Sequence, residues 1–346
     1  MNHHASRTRV LLAFAALYTI WGSTYLAIQV AGQSVPPLLM AGTRFLVAGS
    51  LLLAYCRVSG TLRPGDLNRR TWGAAATVAV GLMLIGNGGV ALAVQRIPTG
   101  ISAVIVALTP MWLVLFDWNQ RRDRRPSNAV FIGIAFGIAG IATLKLAGNG
   151  TTDRLDLLGV AINIVATFGW AFGSIWGRTA PRPASPVTAC ALQMMAGGVI
   201  LLAVSPFFEA WGSVDVTRLP AEFWWSWGYL IVFGSLCGFT AYIWLLQHVS
   251  AAKVGTYAYV NPIIALAIGV MLNGEQFTPT QAAACALILA GVIVITLFRS
   301  QSGAPQPTAR AIAPDPVDGS ANAAAPPALA SSTEAAEPVR RASATS

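Results

Sequence analysis

The chain has 346 residues, of which 55% are hydrophobic and only 10% charged, with a formal net charge of +9. Soluble domains carry about 25% charged residues, so this composition excludes that class and indicates a polytopic membrane protein. The basic residues sit in short clusters between apolar stretches, which argues against a nucleic-acid-binding face.

Uncharged apolar stretches of ~17–25 residues are long enough to cross a bilayer as helices. Ten are predicted, at 10–31, 37–55, 72–94, 99–117, 129–147, 157–177, 187–207, 224–247, 253–272 and 280–298. A short N-terminus, 1–9, precedes them. The first apolar run is too long for a signal peptide's core and shows no convincing cleavage site, so it is read as a retained helix.

In the first span, "IWGSTY" places Trp21, Ser23, Thr24 and Tyr25 at mid-depth, with Trp21 and Tyr25 four apart on one face. The second span holds Arg44, the one arginine well inside a span. Three readings stay open for it: a site for an anionic group of cargo, an ion pair with Glu275, or a side chain snorkelling to the surface. The third span sets Asn87 among glycines in "GNGGVA". That string fits G-x-G-x-x-A, but no strand precedes it and no acidic residue follows at the needed distance, so a dinucleotide site is rejected. Thr109 and Pro110 lie in the fourth span. In the fifth, "GIAFGIAG" puts Gly133, Gly137 and Gly140 on one face, which suits close helix packing. The sixth carries Trp170 and Ser174, four apart. The eighth opens on "FWWSWGY", an interfacial aromatic belt. The ninth has Tyr257 and Asn261 four apart, then Pro262 near its centre, and Glu275 follows in the next loop.

Residues 301–346 hold 14 Ala and 7 Pro among 46, without an aromatic residue. Such a segment cannot bury enough apolar surface to order itself, so 300–346 is expected to be a disordered cytoplasmic tail. Cys56, Cys190, Cys237 and Cys285 lack metal-ligand spacing and read as packing residues. No metal or cofactor is expected.

With the N-terminus inside, the cytoplasmic segments hold fourteen Lys and Arg and the opposite side four: Arg96, Lys145, Arg154 and Arg218. This bias orients a ten-span chain with both termini cytoplasmic.

The chain also repeats. At an offset of 149, Trp21 matches Trp170, Pro37 matches Pro186, Gly49 matches Gly198 and Arg44 faces Gln193. At 152, Trp72 matches Trp224, Gly86 matches Gly238, Gln95 matches Gln247, Pro110 matches Pro262 and Asp123 matches Glu275. Gly140 matches Gly291 at 151. Five spans per copy is odd, so the second copy must cross in the opposite sense. Inverted repeats with broken helices at the midplane are the mark of secondary carriers. A proline at mid-span frees a carbonyl, on Val106 and Ala258 here, and that is tolerable where a cavity or moving helix lies. Pro110 and Pro262 are therefore candidate hinges. The candidate substrate pathway comprises Trp21, Thr24, Tyr25, Asn87, Thr109, Trp170, Ser174, Tyr257 and Asn261. The alternatives are plain packing for the tryptophans, interhelical hydrogen bonds for the polar residues, and a loop role for Glu275.

The motifs "YTIWGSTYLAIQVAGQSVPPLLMAGTRFLVAGSLLLA", "TFGWAFGSIWGR", "YAYVNPIIALAIGVMLNGEQFT" and "LAGVIVITL" resemble the EamA-type permeases of the drug/metabolite transporter superfamily, and among them the YedA-like inner-membrane exporters. The likeness covers about 10–299. It implies an all-α fold of two inverted five-helix repeats, 10–147 and 157–299, around a central cavity, with alternating access and export of small molecules. One departure is the basic loop "DWNQRRDRRPS", where the family often shows an acidic residue.

Composition and likeness together point to a secondary exporter of small metabolites or drug-like compounds. An exchanger of phosphorylated or nucleotide-linked metabolites is the alternative, but it would want several cavity cations. An intramembrane enzyme lacks an acid–base pair at mid-span, with no H-E-x-x-H and no embedded carboxylate pair. A receptor has no need of matched kinks. The expected partners are the lipid bilayer and a small-molecule cargo, not nucleic acid; nothing in the sequence decides whether a homo-oligomer forms.

Overall fold

Hydrocarbon offers no partner to backbone N–H and C=O groups, and a helix satisfies them within itself. The computed structural model obeys this: its described regular structure is helical throughout. It describes residues 6–120, 127–147, 156–249, 251–276 and 278–299. The basic loop 121–126 with Asp123, Arg154 and the tail 300–346 lie outside these residues.

The first copy comprises α1 (Arg7–Ser34), α2 (Pro37–Val58), α3 (Arg69–Ala79), a π-helical segment (Val80–Gly88), α4 (Gly89–Ala93), α5 (Thr99–Val106), α6 (Thr109–Gln120) and α7 (Asn128–Ala147). The second comprises α8 (Leu157–Thr179), α9 (Pro186–Val204), α10 (Ala221–Tyr229), a π-helical segment (Leu230–Cys237), α11 (Gly238–His248), α12 (Ala251–Val254), α13 (Tyr257–Asn273) and α14 (Pro279–Arg299). Starts follow local chemistry. Asn68 and Thr71 form a capping box on α3. The Asp156 and Ser185 side chains accept the first free N–H groups of α8 and α9. Pro37 and Pro186, matched in the two copies, each open a helix where the missing N–H costs nothing.

Eight described stretches are long and apolar enough to cross a membrane. Two more apolar helices, Asn128–Thr143 and Tyr257–Asn273, are shorter. They fall on the fifth and ninth of the ten expected spans. The ninth is divided by a turn at Gly255–Thr256, and the fourth at Ala107–Leu108, so neither is one continuous helix.

The two copies meet through their matched helices. A β-carbon on Gly49 would lie 2.6 Å from the Met195 nitrogen, and one on Gly198 would lie 2.6 Å from that of Leu46. Residues 46 and 195, like 49 and 198, are 149 apart, so the contact is reciprocal. Numbers rise on α2 as they fall on α9, which makes the helices antiparallel. The same exchange joins α7 to α14: a β-carbon on Gly140 would meet Ile288, and one on Gly291 would lie 3.1 Å from the Gly137 nitrogen. Between lipid-embedded helices apolar burial gives little drive, so close van der Waals packing over small residues must hold them. Around the first seam Phe45, Met83, Met194 and Leu201 are fully enclosed. Cys56, Cys190 and Cys285 are buried, and Cys237 is exposed.

Candidate functional site

Trp21 stands at the centre of an aromatic group drawn from three helices. Its ring lies 5.2 Å from that of Tyr257 at 90°, 5.4 Å from Phe239 and 5.5 Å from Tyr242. It also covers Gly238, where a β-carbon would overlap the indole. The matched pair is present in the other copy: a β-carbon on Gly86 would lie 3.1 Å from the Trp170 ring. Both contacts occur at the C-terminal edge of the π-helical segments, whose wider turns shift the register of the helix that follows.

The other residues expected on the pathway have contacts of their own. Tyr25 is buried in a separate apolar cluster with Ile28, Ala31, Met40 and Leu230. The hydroxyl of Thr24 donates to the Trp21 carbonyl at 2.7 Å, and that of Ser174 to the Trp170 carbonyl at 2.7 Å. Each retains only acceptor capacity toward a cargo. Asn87 donates to the Leu82 carbonyl at 2.8 Å, serving its own π-helical segment. Ser23 Oγ likewise meets the Thr19 and Ile20 carbonyls of its own helix, at 2.7 and 2.9 Å, and also shares a hydrogen bond with the Tyr229 hydroxyl at 2.6 Å.

The prolines differ from each other. Pro110 follows a real interruption: α5 ends at Val106 and α6 restarts at Thr109, placing the proline in a first turn where it fits. The Val106 carbonyl freed there accepts the Thr109 hydroxyl at 2.7 Å. Pro262 instead lies inside α13, which runs through it unbroken. The turn that divides this span sits earlier, at Gly255–Thr256. Gly22 on α1 lets α13 approach so closely that a β-carbon there would lie 2.7 Å from Ile264 and 3.3 Å from the Asn261 carbonyl. Asn261 itself is buried, and its side-chain Oδ1 has no hydrogen-bond partner.

Arg44 and Glu275 do not pair. Glu275 accepts from Thr99 N at 2.8 Å, Thr99 Oγ1 at 2.7 Å and Gly100 N at 3.4 Å, capping the otherwise free N-terminus of α5. Gly274, at φ +63°, makes the left-handed turn that aims it there. Beside it Asn273 donates to Gln29 Oε1 at 2.7 Å, Gln29 donates to the Val94 carbonyl at 2.9 Å, and Gln95 donates to the Ile28 and Gln29 carbonyls at 3.3 Å. The ends of α1, α4 and α13 and the start of α5 are knitted together. Snorkelling of Arg44 is also excluded, since the residue is 4% exposed. Its Nε donates to Ser235 Oγ at 3.1 Å, and its Cζ lies 4.7 Å from the Phe45 ring centre.

Sequence reading missed several bridges. Glu209 caps the start of α2, accepting from Leu38 N and Leu39 N at 2.7 and 3.0 Å. Tyr18 and Thr256 share a hydrogen bond between α1 and the α12–α13 turn, and Trp112 donates to Thr167 at 2.8 Å between α6 and α8. Positions 18 and 167 match at the 149 offset, but their partners 256 and 112 do not match in the repeat register, so the register alone could not pair them. At the N-terminus of α8, Arg96 and Asp156 pair at 3.0 Å. The arginine and the backbone N–H groups hold the exposed Asp156 carboxyl below its ordinary range.

Comparison with known proteins places this geometry. The EamA-like transporter family matches residues 8–146 and again 157–297. The chain is 37% identical over 291 residues to the inner membrane transporter YedA of Escherichia coli (strain K12), covering 82% of this chain and 90% of that one. It is 26% identical over 301 residues to the transporter YvbV of Bacillus subtilis (strain 168), covering 86% and 95%. It is 26% identical over 289 residues to a probable amino-acid metabolite efflux pump of Salmonella typhimurium, covering 80% and 90%. A solved crystal structure, at 21% identity, superposes with a TM-score of 0.55 over 86% of this chain and all of that one, which is a likeness of fold.

Proposed function

From the premise that this chain belongs to the EamA-like transporter family, a multi-pass membrane protein with two copies of the family domain, we propose that it is a secondary carrier that exports small metabolites or drug-like compounds across the inner membrane by alternating access. The observation that carries this reading is the reciprocal, antiparallel packing of α2 on α9 and α7 on α14. An inverted repeat lets one copy adopt the other's conformation, which exchanges the open side. In this reading the ten spans form two inverted five-helix repeats, 10–147 and 157–299, flanked by a cytoplasmic N-terminus, 1–9, and a cytoplasmic tail, 300–346.

The pathway runs beside Trp21, Tyr257 and the unpartnered Asn261, with Trp170 on the matched side. Aromatic walls with a few polar groups suit small amphipathic cargo. The likeness to an amino-acid metabolite efflux pump supports the same range. The alternative, exchange of phosphorylated metabolites, would need several cations facing the pathway. Arg44 is the one buried cation among the described residues.

The test is flux. Purified protein in liposomes is loaded with a panel of amino acids, their derivatives and amphipathic drugs, with and without a pH gradient. Saturable, protein-dependent efflux of at least one compound is expected. Absence of such flux across the whole panel would sink the carrier reading.

A further inference from the structure

Arg44 lies seven residues into α2, ~10 Å below its start, and points inward to the π-helical segment around Ser235. Its one hydrogen bond among the described residues runs from Nε to Ser235 Oγ. A guanidinium carries five N–H donors, so the four on Nη1 and Nη2 are left without a protein acceptor. No carboxylate pairs with it among the described residues, and no Asp or Glu lies at mid-span in the sequence. Charges inside a membrane are expensive and sit where function requires them. The guanidinium is held against Gly234, where a β-carbon would lie 3.1 Å from Nη2 and equally 3.1 Å from Thr24 Cγ2. One helical turn along, Gly238 carries the Trp21 indole. The cation and the aromatic wall thus rest on glycines about 6 Å apart along one helix.

We propose that the free Nη1 and Nη2 edge of Arg44, beside Gly234 and Thr24, binds the carboxylate of an amphipathic cargo whose apolar part lies toward Trp21. This rests on the carrier reading and adds a chemical class to it: monocarboxylates or zwitterions rather than polyanions. The planar fork matches a carboxylate by two parallel hydrogen bonds, and Ser235 fixes the fork by holding Nε.

The experiment compares two probes that differ only in charge, 3-phenylpropionate and 3-phenylpropionamide, binding to the purified full-length protein in lipid nanodiscs. Wild type is expected to favour the carboxylate by about tenfold or more, the range of a hydrogen bond to a charged group. Arg44→Gln is expected to bind the amide as wild type does and to lose the preference. Arg44→Lys, which keeps the charge without the fork, should retain part of it, and it decides the matter if Arg44→Gln does not fold. The inference is overturned if Arg44→Gln keeps the preference, if wild type shows none, or if wild type binds neither probe at millimolar concentration. Displacement of phenylpropionate by chloride as effective as by unlabelled phenylpropionate would overturn it too, leaving a simple halide site. Saturable flux in liposomes without any carboxylate preference would leave the carrier reading standing and remove only this one.

Discussion

The indole of Trp21 lies directly on the α-carbon of Gly238, so that any β-carbon at that position would overlap it. Trp170 on Gly86 is the matched contact in the other copy. Each tryptophan thus marks where one copy's first helix presses on the other copy's third span.

Gly238→Ala is expected to displace the Trp21 ring from Tyr257 and Phe239 and to lower transport sharply while the protein still inserts. Trp21→Phe in the same chain should restore part of the loss, because residues in contact do not contribute additively. The check is a double-mutant cycle on transport rate and melting temperature. Additive effects would show that the contact does not matter to either.

Glu275 supplies three hydrogen bonds to the start of α5. Glu275→Ala leaves these donors uncapped, at a cost of about 1–2 kcal/mol. A lower unfolding midpoint in detergent is expected, and Glu209→Ala should do the same through the start of α2. An unchanged midpoint for Glu275→Ala would mean that water or Asn273 takes over the cap.

The two prolines should no longer behave alike. Pro110→Ala, with Thr109→Val, invites α5 and α6 to join into one helix across Ala107–Leu108 and should slow transport. Thr109→Val alone strands the Val106 carbonyl, costing about 1–3 kcal/mol. Pro262→Ala only restores one hydrogen bond within a helix that is already continuous, and its transport rate should stay near that of wild type. Equal slowing by Pro110→Ala and Pro262→Ala would restore the symmetric-hinge expectation.

Topology can be checked with a reporter active only outside the cytoplasm. Fused after Asp215 it should be active, and after Arg299 silent. Activity at the second fusion would overturn the ten-span arrangement with both termini inside.

Hydropathy is a local property, so the apolar stretches were legible residue by residue, and the repeat was legible because matched positions keep their order along the chain. Trp21 and Gly238 could be singled out from the repeat, and Tyr257 from its spacing of four to Asn261. Contacts between copies are set by antiparallel crossing, which no local pattern encodes, and these only the tertiary structure decided. It packed Tyr25 with Ile28, Met40 and Leu230 and set Trp21 against Tyr242 and Tyr257, because the two residues of α1 meet different helices. It placed a turn at Gly255–Thr256, ahead of Pro262, and packed α13 against Gly22 of α1 beside that proline. It sent Glu275 to the free N–H groups at the start of α5 and Arg44 to Ser235. Arg44 was visible in the sequence as an intramembrane charge; that its fork would be left open beside Gly234 depended on which helix α2 faced.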